Sequence, residues 1–163
     1  MRENARLLSR ALGLATTMAL IPAGALAAPA APNSDIPPWR DLATVKRATA
    51  AYHDVTRAEA DGFVRTSECL PEKGLHYLRS VADSAEDLDL TRPNVLVYEP
   101  YPDGGLRLLG VEYASRTPGE FLGQELEPSS VVPYYLLHVW VWDEEADADD
   151  IFAADNPRIT CGT

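Results

Sequence analysis

Histidine and cysteine are scarce in this chain: its 163 residues include three of the first and two of the second. No Cys-x-x-Cys pair occurs, so a redox or metal-binding cysteine couple lacks its usual spacing. There is no His-Glu-x-x-His helix, no Gly-x-Ser-x-Gly elbow, no Walker loop and no dinucleotide-binding glycine turn. The common hydrolase, nucleotidase and Rossmann chemistries therefore have no support. Basic residues are also few, with 14 Lys and Arg against 25 Asp and Glu and a net charge of −11. A polyanion repels nucleic-acid phosphates and anionic lipid, which excludes both as main partners. No internal repeat is present.

A sustained apolar run lies at the start. Arg2, Arg6 and Arg10 precede an uncharged stretch from Ala11 to Ile21, and Ala25-Leu26-Ala27 offers small residues to a signal peptidase. Residues 1–27 read as a signal peptide, so an exported protein, periplasmic or secreted, is expected. The run is too short to predict stable membrane insertion once the leader is cleaved. Cleavage removes three Arg and Glu3, which makes the mature chain two charges more negative still. Residues 28–38 are rich in Pro and Ala and read as an extended tether, and residues 39–163 are of a length for one globular domain. In an oxidising destination the even pair Cys69 and Cys161 favours a disulfide.

Within that domain, Asp41 to Asp61 lacks Pro and Gly, and Leu42, Val45, Ala48, Tyr52 and Val55 recur at helical spacing. One long helix is predicted, with Asp41 at its start and Gly62 just past its end. Leu75 to Asp87 has no clean period and stays open between a strand and a helical turn. Asn94–Glu99 and Leu106–Tyr113 are strand-like runs around a Pro/Asp/Gly turn, which predicts a hairpin. Tyr134–Trp142 is rich in β-branched and aromatic residues and reads as a central strand buried on both faces. The acidic run Asp143–Asp150 reads as the approach to a short helix at Ile151–Ala154 ended by Asn156-Pro157; it lacks the glycine and terminal glutamate of an EF-hand loop. The expected fold is α+β: a long N-terminal helix packed on a three- to four-stranded antiparallel sheet, with one disulfide.

Each histidine falls in or beside a predicted element: His53 in the helix, His76 in Gly74-Leu75-His76-Tyr77, and His138 in the strongest strand. Alternation along Leu106–Tyr113 puts Glu112 on one face with Leu106, Leu108 and Gly110. An inward-facing Glu112 needs a partner. His76, His138 and Glu112, with His53 nearby, make a candidate site for a divalent transition metal or a small polar ligand. Glu99 is a weaker carboxylate. His138 shares its face with Leu136, Trp140 and Trp142, and Trp140 is expected to exclude water. Tyr77 and Trp140 are candidate ligand-binding residues, with Phe121 on a flap in the long loop Thr117–Pro133. The same pattern fits a non-catalytic secreted interaction module, with histidines satisfying core hydrogen bonds and aromatics filling a core.

Taken together, Tyr52-His53-Asp54, Gly74–Tyr77, Leu88–Pro100, Gly104–Tyr113, Leu137–Trp142 and Asn156–Cys161 resemble a family of small exported bacterial proteins of unknown function. The resemblance covers nearly all of the mature domain. In that family's pattern an aromatic residue stands where this chain has Leu75, and Val-Asn-Pro stands where it has Leu78-Arg79-Ser80. Both departures flank His76. The matching positions include all three histidines, Glu99, Glu112 and both cysteines. The resemblance implies no particular activity.

Overall fold

The computed structural model describes residues 38–161; the expected leader and the tether up to residue 37 lie outside them. Three segments carry the sheet: β3 (Val95–Pro100), β4 (Leu106–Ser115) and β8 (Tyr135–Val139). The first two form the predicted hairpin. Shorter strands extend the sheet: β1 (Val64–Arg65), β2 (Leu75–Leu78) and β7 (Glu127–Pro128). The result is a six-stranded antiparallel sheet in the order β1-β2-β3-β4-β8-β7. It is larger than the three or four strands expected, because the edge strands are two-residue pairings of exposed side chains with no alternating pattern of their own. A separate hairpin joins β5 (Glu120–Phe121) to β6 (Gln124–Glu125). The ambiguous stretch after Leu75 contains both of its alternatives, β2 followed by a 3-10 turn at Ala85–Asp87.

The expected long helix is broken into α1 (Pro38–Thr49), a 3-10 turn (Ala50–His53) and α2 (Val55–Ala60). Pro38 closes the expected tether but begins α1, and Asp41 lies in the first helical turn, where its charge suits the helix dipole. A continuous helix would bond the Thr56 N–H to the Tyr52 carbonyl. Both groups are taken elsewhere: the N–H donates to Asp54 Oδ1 at 3.0 Å, and the carbonyl accepts from the Tyr98 hydroxyl at 2.7 Å. Asp54 thereby caps α2. At the far end, Gly62, with φ of 89°, donates to Glu59 and Phe63 donates to Ala58, a Schellman ending that delivers buried Phe63 to the core.

Both helices cover one face of the sheet. Val45 and Ala58 meet Leu96, Tyr98, Val111, Tyr113 and Val139 there. Strict alternation along β4 fails at a β-bulge: Val97 pairs with Gly110 and Tyr98 with Leu108, leaving Leu109 without a partner. Leu108 accordingly faces the helices with Val111, while Leu109 turns to the other face with Val97, Trp140 and Ile159. Leu106 and Leu108 thus part from Glu112, contrary to the simple period-2 expectation. Strand β8 also stops sooner than predicted. The Val141 N–H turns back onto the Val139 carbonyl at 2.8 Å, which places Trp142 against the helices, away from His138. Its indole donates to Thr49 Oγ1 at 3.0 Å.

On the opposite face the C-terminal segment runs as turns; the expected helix at Ile151–Ala154 does not form. Asn156 and Arg158 both donate to Asp143 Oδ2, at 2.7 and 2.9 Å, and Arg158 reaches Asp150 at 3.1 Å. Burial would lift the Asp143 carboxyl, but these donors hold it below its ordinary value. Asn156, expected to end a helix, is instead a buried hub. The Cys69–Cys161 disulfide forms as expected and closes 92 residues, worth roughly 4–5 kcal/mol at most in unfolded-chain entropy.

Candidate metal centre

Glu112 stands in the middle of β4, on the sheet face away from the helices, and is 2 % exposed. Its direct cross-strand neighbour on β8 is His138. His76 comes from β2, two strands away, and reaches across β3, whose Val95 and Val97 are the backbone partners of Glu112 and His76 respectively. The small β-branched side chains between them leave room for that diagonal. His76 Nε2 lies 3.0 Å from Glu112 Oε1, and His138 Nε2 contacts the same oxygen. The three donor atoms all lie within 4.8 Å of one another.

The electrostatics of the cluster are those of a held anion. Burial by itself lifts a carboxyl's pKa; contact with the two imidazoles outweighs it and keeps Glu112 well below the usual carboxylate range. His138 Nε2, although in contact with Oε1, has no partner in hydrogen-bonding alignment and is buried. Two ring nitrogens thus crowd one carboxylate oxygen, an arrangement of donors that a metal ion can share. Metal–ligand bonds of about 2.1 Å set neighbouring ligand atoms about 3 Å apart, so side-chain adjustments of about an ångström bring all three donors onto one ion.

Supporting groups fix the rings. Ser67 Oγ lies 3.4 Å from His76 Nδ1 and accepts the His76 backbone N–H at 3.3 Å. A partner at Nδ1 orients the ring so that Nε2 faces the centre. Trp140 stacks on His138, with centroids 5.2 Å apart and planes 18° from parallel. Its Nε1 donates to the Ala153 carbonyl at 2.8 Å. Gly110 makes this packing possible, because a Cβ there would lie 2.8 Å from the Val139 carbonyl and 3.0 Å from the Trp140 ring.

The donors form the floor of a cavity of about 420 Å³ whose walls include Leu70, Leu78, Val95 and Leu136, with Lys73 and Asp155 paired at the mouth. The segment Glu127–Val132 with Tyr134 supplies one side.

The predicted site residues divide cleanly. The structure brings His76, Glu112 and His138 together, with Trp140 behind them. His53 is exposed on the helix-bearing face, edge-on to Trp142 at 4.3 Å between centroids, and takes no part in the cluster. The reason is topological: the helix carrying it packs on the face opposite Glu112. Tyr77 is a core residue set edge-on to Tyr98, and Phe121 packs on Tyr113 rather than over the cavity. Glu99 is paired with Arg107 at 2.6 Å. The long Thr117–Pro133 loop does border the cavity, through Glu127–Val132 rather than through Phe121, whereas Ser67, beside His76, carries no motif. No protein-family model, curated protein or solved structure matches the chain.

Proposed function

We propose that this is an exported metal-binding protein that holds a divalent first-row transition ion through His76 Nε2, Glu112 Oε1 and His138 Nε2. The observation that carries this reading is the convergence of the three donors within 4.8 Å of one another, with both Nε2 atoms crowded on one buried carboxylate oxygen. Two imidazoles and one carboxylate are the donors of catalytic zinc and of non-haem iron centres, both of which keep positions open to a further ligand. The three donors line a cavity that would leave room for such a ligand. A bound ion would supply a Lewis-acid position there. Structural histidines of an interaction module would instead spend their ring nitrogens on backbone carbonyls, whereas both Nε2 atoms here turn to one carboxylate. Export is supported by the N-terminal leader pattern and by the disulfide, a bond that persists in oxidising compartments. Among the described residues no helix is long and apolar enough to cross a membrane.

The test is equilibrium dialysis of the purified, chelator-stripped protein against Co²⁺ and Zn²⁺, with the visible spectrum of the cobalt form recorded. One ion per chain is expected, with a ligand-field spectrum of mixed nitrogen and oxygen donors, and His138→Ala should lose both. Absence of uptake by the folded wild-type protein would refute the reading.

A further inference from the structure

The chamber above the three donors is larger and less polar than holding an ion requires. Its volume of about 420 Å³ lies in the range of small-molecule sites, and Leu70, Leu78, Val95 and Leu136 line it beside the charged floor. Charge divides it sharply. At the mouth Lys73 and Asp155 neutralise each other, and Glu127 is exposed, where water and salt screen it. The floor alone sets the field inside. On the metal reading above, on which this inference rests, ligating imidazoles are neutral and Glu112 contributes one negative charge, so a divalent ion leaves the floor with one positive charge. A hydrated cation or a neutral polar solute would waste the apolar wall, and a purely apolar molecule would leave the open metal positions to water.

We propose that the cavity binds a small monocarboxylic acid with an apolar tail, its carboxylate on the metal and its tail along Leu78, Val95 and Leu136. Each methylene the wall takes from water raises affinity about fourfold. The four methylenes separating hexanoate from acetate therefore predict tighter binding by roughly 50-fold or more, allowing for incomplete burial.

The experiment titrates cobalt-loaded protein with acetate, hexanoate, octanol and octylamine, following both heat and the cobalt visible spectrum. Hexanoate should change the spectrum and bind at least about 50-fold more tightly than acetate. Octanol and octylamine, which carry a tail without the anionic head, should leave the spectrum unchanged. Leu136→Asn should keep the cobalt spectrum and affinity while erasing most of the hexanoate preference; Val132→Asn, at the exposed rim, gives a second variant that leaves the sheet intact. Equal affinity for acetate and hexanoate would overturn the proposal, as would equal binding of hexanoate to metal-free protein. Failure to take up cobalt, visible before any acid is added, would instead overturn the metal reading and this inference with it.

Discussion

Replacing Glu112 by Gln changes one atom of the carboxylate that both imidazoles contact and leaves its shape alone. The consequences separate metal binding from folding. In metal-free protein the amide still fills the buried position between His76 and His138, so the fold should persist. Metal binding is another matter, because the anionic oxygen is the only negative donor of the three. An ion that binds the folded state alone stabilises it by about 2.7 kcal/mol when present at about a hundred times its dissociation constant. For a domain of this size about 4 °C of melting temperature accompanies each kcal/mol, so saturating Zn²⁺ should raise the wild-type transition by roughly 10 °C. Glu112→Gln should lose most of that increment while its metal-free transition stays close to wild type. Differential scanning calorimetry with and without Zn²⁺, reversed by a chelator, reads both quantities. The competing cation site is the acidic stretch Asp143–Asp150, so Asp149→Asn serves as the control and should retain the full increment. An undiminished increment in Glu112→Gln, or one lost in Asp149→Asn, would refute the assignment of the ion to the sheet face.

Two further outcomes follow from packing and protonation. Gly110→Ala drives a Cβ to 2.8 Å from the Val139 carbonyl and 3.0 Å from the Trp140 ring, so the backbone must move. A loss of about 1–3 kcal/mol in denaturant unfolding is expected, with weaker metal affinity because Trp140 backs His138; unchanged affinity alongside the lost stability would show that the stack does not position the ligand. The second concerns alkaline pH. Tyr98 and Tyr113 are buried, and their hydroxyls donate to the Tyr52 and Leu90 carbonyls at 2.7 Å. Burial lifts both phenols well above their ordinary value of 10.0. Raised folded-state values mean that the unfolded chain releases these protons first, so the stability they provide is complete below pH 10 and declines as pH rises beyond it. Tyrosinate absorbance should appear together with unfolding; early titration of all seven tyrosines in a still-folded protein would contradict this.

The parts of this arrangement that are legible in the residue order are those that local pattern controls. Apolar, β-branched and aromatic content marks β3, β4 and β8; Glu112 does lie inward, but of the residues that simple alternation sets beside it only Gly110 shares its face. His138 lies on one of these strands, whereas His76 sits in the stretch Leu75–Asp87, whose pattern leaves strand and helical turn open. What local pattern cannot carry is a competition settled by distant atoms. Asp41–Asp61 has the period of one helix, yet the Tyr98 hydroxyl, from β3, claims the Tyr52 carbonyl, and Asp54 claims the matching N–H. The bulge at Leu109 is equally hidden, since nothing in the local alternation of β4 marks it and only the pairing with β3 reveals it. His53, expected near the other three, lies on the opposite side of the sheet for the same kind of reason: a helical period shows which face of the helix is apolar, not which face of the sheet it covers. Within the long Thr117–Pro133 loop it is the aperiodic Glu127–Val132 segment that walls the cavity, while Phe121, the conspicuous aromatic expected on the flap, finds its partner in Tyr113.

The polar cluster also invites a comparison with the apolar residues that could replace it. Burying a carboxylate beside two imidazoles is an expensive way to fill a sheet face, and exchange of a buried ionic cluster for apolar side chains of similar volume is often neutral or stabilising by about 1–4 kcal/mol. The surroundings here are already suited to the exchange, since Leu78, Val95, Ala114 and Leu136 share that face. A combined His76→Leu, Glu112→Leu, His138→Leu variant should therefore fold with metal-free stability equal to or above that of wild type, and show no increment with Zn²⁺. Single removal of Glu112 in favour of Leu should be worse than the triple exchange, because it leaves buried His138 and half-buried His76 without their shared acceptor. A triple variant that is several kcal/mol less stable than metal-free wild type would show the cluster to be a structural clasp. Stability at or above wild type would mean that the fold does not need these three residues, and that their convergence serves what they bind.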